Sequence, residues 1–273
     1  MNIKSIGFIT NTKKPMALEV LHRLIKTAKD KGLKCVDGCS IKKAFDNGPA
    51  ADIGGCDVDI LTAIGGDGTI LRAAQIASRK KIPILGVNLG RIGFLSEIEA
   101  DEFSDTIDLI QLDKHCIERK LMFECSVNDT SAYYCLNDII LYKPSLSGVA
   151  VINIAVDGQN AGSVSCDGII VSTPTGSTGY SISAGGPVIA SGLDAAIITP
   201  ICPHSLNHRP IVAKAESKLE LTMQNEGYLS VDGQHVMRIC ANDLIKVSKA
   251  SVFTDFIRIK ERNVFELIKK KLT

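Results

Sequence analysis

The run Gly65-Gly66-Asp67-Gly68-Thr69 constrains the fold more than any other stretch of the chain. Val58 to Ile64 before it is apolar and reads as a buried strand, and Ile70 to Ala77 after it has helical character. The run therefore fills a strand-to-helix turn. Glycines leave the backbone bare, so a ligand can come close, and the amide N–H groups at a helix start can point at an anion. Asp67 places a negative charge where a phosphate would otherwise be welcome. A carboxylate among such glycines makes sense if it has a proton to take or a metal ion to hold.

Strands and helices alternate around this turn. Ile3 to Ile9 is β-rich, a first strand. Asn11 and Thr12 offer caps, Pro15 suits a first helical turn, and Leu18, Leu21, Ile25 and Ala28 recur at helical spacing. Gly32 closes that helix and Leu33 to Val36 is a short strand, with a loop-like stretch from Asp46 to Gly55. Pro83 to Val87 is a further buried strand. It runs into Asn88-Leu89-Gly90-Arg91-Ile92-Gly93-Phe94-Leu95, and a helix over Asp101 to Leu112 follows. This order predicts βαβ units on a mostly parallel sheet, a Rossmann-like α/β domain over residues 1–115. Ligands of such sheets bind beyond the carboxyl ends of strands, where both glycine-containing runs fall.

From Cys116 to Ile259 the texture is one β-like run after another, among them Leu121 to Val127, Tyr133 to Tyr142, Val151 to Val156, Leu219 to Met223, Tyr228 to Val231 and Leu244 to Val247. Asp157-Gly158 and Asp232-Gly233 are two-residue hairpin signals. Residues 116–259 are predicted to form an antiparallel, sandwich-like β domain, and 260–273 a helical tail that packs back on the first domain.

Composition narrows the function. The 273 residues carry a net charge of +1, so no basic field argues for nucleic acid. Aromatics are 5% and Trp is absent, which weakens any case for base-stacking platforms. No stretch reaches the roughly 18 apolar residues of a membrane span, and the start is too mixed for a signal-peptide core. The nine cysteines form no C-x-x-C pair, and most stand in apolar runs, as Cys135 and Cys240 do. They read as reduced, buried thiols of a cytoplasmic protein.

One stretch of the β half breaks its own pattern. Asp167-Gly168 leads through a strand into Ser172-Thr173-Pro174-Thr175-Gly176-Ser177-Thr178-Gly179-Tyr180-Ser181-Ile182-Ser183, a dense patch of hydroxyls and glycines. Hydroxyls and bare N–H groups together can hold ribose, phosphate or carboxamide. Asn137-Asp138 interrupts the apolar run Tyr133 to Tyr142, and two adjacent polar groups in a buried strand need partners. Thr199 to Pro210 reads as a proline-punctuated loop. Its His204 and His208 lack further ligands at metal spacing, and read as structural.

Taken in order, Gly65 to Thr69, Asn88 to Leu95, Asn137-Asp138, Asp167-Gly168, Ser172 to Tyr180 and Pro200-Ile201-Cys202-Pro203-His204-Ser205-Leu206 resemble the NAD kinases over nearly the whole chain. The first motif is shared with lipid kinases and phosphofructokinases; the Thr-Pro-Thr-Gly-Ser-Thr and Pro-His-Ser-Leu runs are more specific. The resemblance implies transfer of the ATP γ-phosphoryl group to the adenosine ribose 2′-hydroxyl of NAD, with magnesium carried by ATP, in a homodimer or homotetramer. It makes Asp67 the base that takes the hydroxyl proton and brings Gly66, Gly68 and Thr69, with Arg72, toward the phosphates. Phe94 is implied near the adenine, Asn137 and Asp138 at adenine and ribose, and Asp167 near the nicotinamide carboxamide. Thr175, Thr178, Gly179, Tyr180 and Ser183 are implied around the adenine pocket, with Gln234 reaching the nucleotide. Two positions depart from the family pattern: Asp138 stands where Glu is usual, and Gly179 where Ala is usual.

Other readings stay open at this point. A related lipid or sugar kinase would share the first motif, and a non-catalytic NAD or NADP sensor would share the pocket. A dehydrogenase fits least, since no G-x-G-x-x-G follows the first strand.

Overall fold

The structure, a computed structural model, describes residues 3–11, 16–36, 57–90, 93–145, 147–190, 192–205 and 207–260, with Glu266 and Lys269. The side chains of Ser131, Gln234, His235 and Val236 are outside that description. The chain divides into two compact units, Met1–Lys120 with Val252–Thr273, and Leu121–Ser251. The sequence reading sets its boundaries at 115 and 259 instead. Residues 252–258 resemble any other β run, but they lie with the first unit.

In the first unit, β1 (Ser5–Thr10), β2 (Lys34–Val36), β3 (Ile60–Ile64) and β4 (Ile84–Asn88) form a parallel sheet in the order β2-β1-β3-β4, with the short β5 (Ile98–Glu99) parallel to β4. Its helices are α1 (Ala17–Asp30), α2 (Asp67–Lys80) and α3 (Phe103–Gln111). Every residue of β3 and β4 is buried, as expected of strands covered on both faces. On one face, Val20 and Leu24 of α1 and Phe103, Ile107 and Ile110 of α3 pack against Ile6, Phe8, Ile60, Ile64, Leu85 and Val87. On the other lies α2. Gly86 admits it, because a Cβ there would stand 2.9 Å from Ile70 Cδ1.

The buried face of α1 is Ala17, Val20, Leu24 and Ala28, while Leu18 is exposed. Of the residues that the helical spacing predicts, Ala28 is buried and Leu21 and Ile25 are partly buried against the same core, so only Leu18 departs from the expectation. Gly32 closes α1 with φ +78, its N–H bonded to Lys29 O and that of Leu33 to Ala28 O. The N-cap of α1 is Met16 and not Asn11; Thr12, Pro15, the loop over 46–55 and nearly all of the predicted C-terminal helix fall outside the described residues.

The second unit is antiparallel. One sheet, in the order β13-β12-β11-β8-β15-β16, comprises β8 (Asp138–Tyr142), β11 (Gly168–Ser172), β12 (Ala195–Ile201), β13 (Ile211–Lys214), β15 (Gly227–Val231) and β16 (Gln234–Ile239). Facing it are β9 (Ala150–Val156), β10 (Gln159–Cys166), β14 (Leu219–Met223) and the start of β17 (Leu244–Arg258). The hairpin of β6 (Cys116–Val127) and β7 (Thr130–Cys135) contributes to the same core, where Phe123, Ile139, Leu141, Ile152, Ile169, Val171, Ile198, Leu221 and Leu229 meet. Alternating burial along β9 and β14 marks one-sided strands.

Asp157-Gly158 and Asp232-Gly233 turn two hairpins, with φ of 52 and 75, and 50 and 74. A third, Asn128-Asp129 with φ of 50 and 58, turns β6 into β7 without glycine and carries no Asx-Gly signal. Thr199 and Pro200, read from sequence as loop, belong to buried β12. Pro200 lies past the residues of β12 that pair with β13, so its missing N–H breaks no rung there. Of the seven described cysteines, all free, Cys125, Cys135 and Cys166 are buried, whereas Cys116, Cys202 and Cys240 are exposed. Cys240 stands just after β16, at a tight turn where its N–H donates to Asp243 Oδ2.

Candidate active site

The carboxyl ends of β3 and β4 carry the first group of candidate residues. Gly66 is the N-cap of α2 and Asp67 its first residue, so the acid meets the positive end of the helix dipole. Gly65, at φ +155, leaves room for Thr69: a Cβ there would lie 2.4 Å from Thr69 Oγ1. Thr69 is buried, Gly68 faces open space and Arg72 is exposed one turn on.

Asp67 Oδ2 accepts the Phe94 N–H at 2.9 Å and Oδ1 accepts the Leu95 N–H at 3.1 Å. Gly93 lies against the same carboxylate, where a Cβ would stand only 1.9 Å from Oδ1. Gly93 N–H in turn donates to Ser96 Oγ at 3.1 Å, and Asn88 Nδ2 donates to the Gly90 carbonyl. The two glycine-containing motifs are therefore joined through Asp67 itself. Arg91 and Ile92 of the second motif lie outside the described residues.

The second group clusters in the β unit around Asn137 and Asp138. The Asp232 carboxylate accepts the N–H groups of Leu136 at 2.9 Å, Asn137 at 2.7 Å and Asp138 at 3.3 Å, and Asp232 N–H donates to Asp138 O. From the other side, Thr173 Oγ1 donates to Leu136 O at 2.5 Å and Thr173 N–H to Asn137 O at 2.9 Å. A Cβ on Gly176 would fall 2.0 Å from Asn137 O, so only glycine fits that approach. The hydroxyl-rich loop thus wraps the Asn137 backbone.

Two buried atoms here, Asn137 Oδ1 and Ser172 Oγ, have no hydrogen-bond partner among the described residues. Each such group costs about 1–3 kcal/mol, which a ligand donor or acceptor would recover. Asp138 is 5% exposed, and burial with the nearby Asp232 charge pushes its carboxyl up to about 7. A Cβ on Gly179 would sit 3.5 Å from Asn137 Nδ2 and 3.7 Å from Asp138 Oδ2. It would also stand 3.2 Å from the Gly176 carbonyl, closer than an ordinary contact, so glycine suits this approach.

The remaining candidates surround this cluster. Asp167 forms a 2.6 Å ion pair with Lys143, which also donates to Gly148 O. Thr175 precedes a single 3-10 turn, Gly176–Thr178, in which Thr178 Oγ1 donates to Thr175 O. Tyr180 and Ser183 begin and end the short helix α4 (Tyr180–Ser183), and both are exposed. Gln234 opens β16 beside the Asp232-Gly233 turn.

Gly66, Asp67, Gly68, Thr69, Arg72 and Phe94 thus lie in the first unit, and Asn137 to Gln234 in the second. Sequence reasoning missed three participants. Gly93 was visible only as part of a motif, Asp232 only as a turn residue, and Lys143 carried no signal. Among the described residues no group of three His, Cys, Asp or Glu side chains forms a metal cage. No helix among them is long and apolar enough to cross a membrane.

Comparison with known proteins identifies the family. The family model described as the ATP-NAD kinase N-terminal domain matches residues 6–114, and that of the ATP-NAD kinase C-terminal domain matches 136–259. The chain is 36% identical to an NAD kinase of Caldanaerobacter subterraneus subsp. tengcongensis, over 99% of each chain. It is 33% identical to an NAD kinase of Natranaerobius thermophilus, over 99% of this chain and 98% of that one. Its fold is that of a yeast NADH kinase solved with NADH, at TM-score 0.89 and 22% identity, covering 99% of this chain and 88% of the other. An NAD kinase of Archaeoglobus fulgidus, solved with ATP, superposes at TM-score 0.78 with 26% identity over 98% of both chains. The chain belongs to the ATP-NAD kinase family.

Proposed function

We propose that the protein transfers the γ-phosphoryl group of ATP to the adenosine ribose 2′-hydroxyl of NAD, with Asp67 as the general base. The observation that supports this best is the seat of Asp67, a carboxylate at a helix start, held on two backbone amides beside bare glycine backbone. The 2′-oxygen forms a bond to the γ-phosphorus, the bond from that phosphorus to the β,γ-bridging oxygen breaks, and ADP leaves. The hydroxyl proton goes to Asp67 as the oxygen becomes acidic. Such a transfer asks mostly for positioning and charge neutralisation. The divalent cation enters with ATP, as part of the nucleotide substrate.

Each candidate then has a task. Gly66, Gly68 and Thr69 present backbone to phosphate, and Arg72 adds a cation on the same helix. Phe94 packs near the adenine, while Asn137 and Asp138 take the adenine and ribose of NAD. The Asn137 amide oxygen has no hydrogen-bond partner among the described residues. Asp167 accepts from the carboxamide, Thr175, Thr178, Gly179, Tyr180 and Ser183 line the adenine pocket, and Gln234 reaches the nucleotide. The family resemblance also supports a homodimer or homotetramer, which light scattering of the purified protein checks.

The test crosses NAD or NADH as acceptor with ATP or polyphosphate as donor, and follows NADP(H). The expected product is NADP from NAD, ATP and magnesium. Asp67→Asn is expected to lower kcat roughly 10²–10⁴-fold with little change in KM. Retention of most of the rate in that variant rules out the base assignment.

A further inference from the structure

Leu95 is gripped from two sides. Its N–H holds Asp67 Oδ1, and its carbonyl accepts from Arg258 Nη1 at 3.1 Å. Arg258 ends β17, the strand that brings the chain back to the first unit, and is 4% exposed. The same Nη1 donates to Glu97 Oε2 at 3.1 Å, and Nε donates to Glu118 Oε2 at 2.7 Å. The Glu97 side chain is 1% exposed. Its other oxygen accepts the N–H groups of Ile259 at 2.8 Å and Lys260 at 3.0 Å, and its own N–H donates to Gly86 O on β4. Lys120 also pairs with Glu118, at 2.5 Å.

Among the described residues, two cations and two carboxylates meet in this network. Well-packed apolar side chains often stabilise a buried site as well as such an arrangement does, so stability alone is a poor account of it. What an apolar side chain cannot supply is a donor for the Leu95 carbonyl. A guanidinium has several donors in one rigid fork, which lets it hold a carbonyl and two carboxylates together.

We infer that Arg258 is a positioning residue for phosphoryl transfer. It fixes the backbone at Leu95 and thereby the carboxylate of Asp67, an inference that rests on reading Asp67 as the base. Small misplacements of a reacting group cost rate rather than binding. Arg258→Met, assayed where circular dichroism shows it folded, is expected to lose roughly 10–100-fold in kcat while both KM values stay within about threefold. Arg258→Lys restores part of the loss, since one ammonium reaches fewer of the three acceptors.

A double-mutant cycle separates positioning from mere stability. If Arg258 acts through Asp67, adding Arg258→Met to Asp67→Asn costs less than about twofold further. Additive losses, or a folded Arg258→Met with unchanged kcat, overturn the inference. If the Met variant does not fold, the same cycle with Arg258→Lys or Glu97→Gln decides by the same two outcomes. An unaffected rate in Asp67→Asn alone would instead overturn the base assignment on which the inference rests.

Discussion

Asp138 and Gly93 show how far single positions are controlled by residues distant in sequence. Asp138 is buried beside the Asp232 carboxylate, and its carboxyl rises from the usual 3.8 to about 7. The fold thus disfavours the ionised form. The favourable contribution is complete below about pH 4 and is lost as pH rises through 7. Asp138→Asn should therefore gain stability relative to the wild type between pH 4 and 8, by at most about 4 kcal/mol. Urea unfolding at several pH values measures this, and a difference that does not change with pH would refute the assignment. At Gly93 an added methyl would collide with Asp67 Oδ1. Gly93→Ala should leave the thermal midpoint within a few degrees and lower kcat about 10²-fold or more, by displacing the carboxylate. Steady-state kinetics beside a thermal melt checks both halves of that statement.

Secondary-structure elements obey local chemistry at their ends. Helices α1 and α2 close with the same pair of bonds, but α1 uses Gly32 at φ +78 and α2 uses Lys81 at φ 57. An L side chain in that region costs about 1–2 kcal/mol. Gly32→Ala should destabilise by about 1 kcal/mol, and Lys81→Gly should be stabilising by about 0.5 kcal/mol once unfolded-state entropy is offset. Opposite shifts in the denaturation midpoint are the expected result, and shifts of one sign would count against it. Gly32 was legible in the sequence as a helix stop because glycine announces itself. Lys81 was not, for nothing in a lysine marks a left-handed residue.

Across the whole molecule, burial sorts groups of one chemical type into different behaviours. Burial pushes the thiol of Cys125 up to about 12 and that of Cys166 to about 11, and holds Cys135 well above the ordinary value. Cys116, Cys202 and Cys240 are exposed. Under native conditions, alkylation read by peptide mass spectrometry should label these three within minutes, and the buried three only after denaturation. Native labelling of Cys135 at a comparable rate would contradict the packing of the β unit. The nine positions look alike in sequence, where an apolar neighbourhood at Cys240 suggests a burial that the turn after β16 reverses.

Much of the protein is settled by short-range information. The strand-turn-helix at Gly65 to Thr69, the parallel and antiparallel halves, and the Asp-Gly hairpins each rest on a few neighbouring residues, since glycine geometry and hydrophobic period act over one or two turns of chain. The motifs that carry the family resemblance are equally local. Tertiary structure alone decided the rest. It left Leu18 of α1 in solvent, sent residues 252–258 back to the first unit, and placed Asp232 on the amides of Leu136 to Asp138. It also set Arg258 on the carbonyl of Leu95. These outcomes join residues that sequence separation keeps far apart, and a buried donor or acceptor takes whichever partner the packed chain brings within reach.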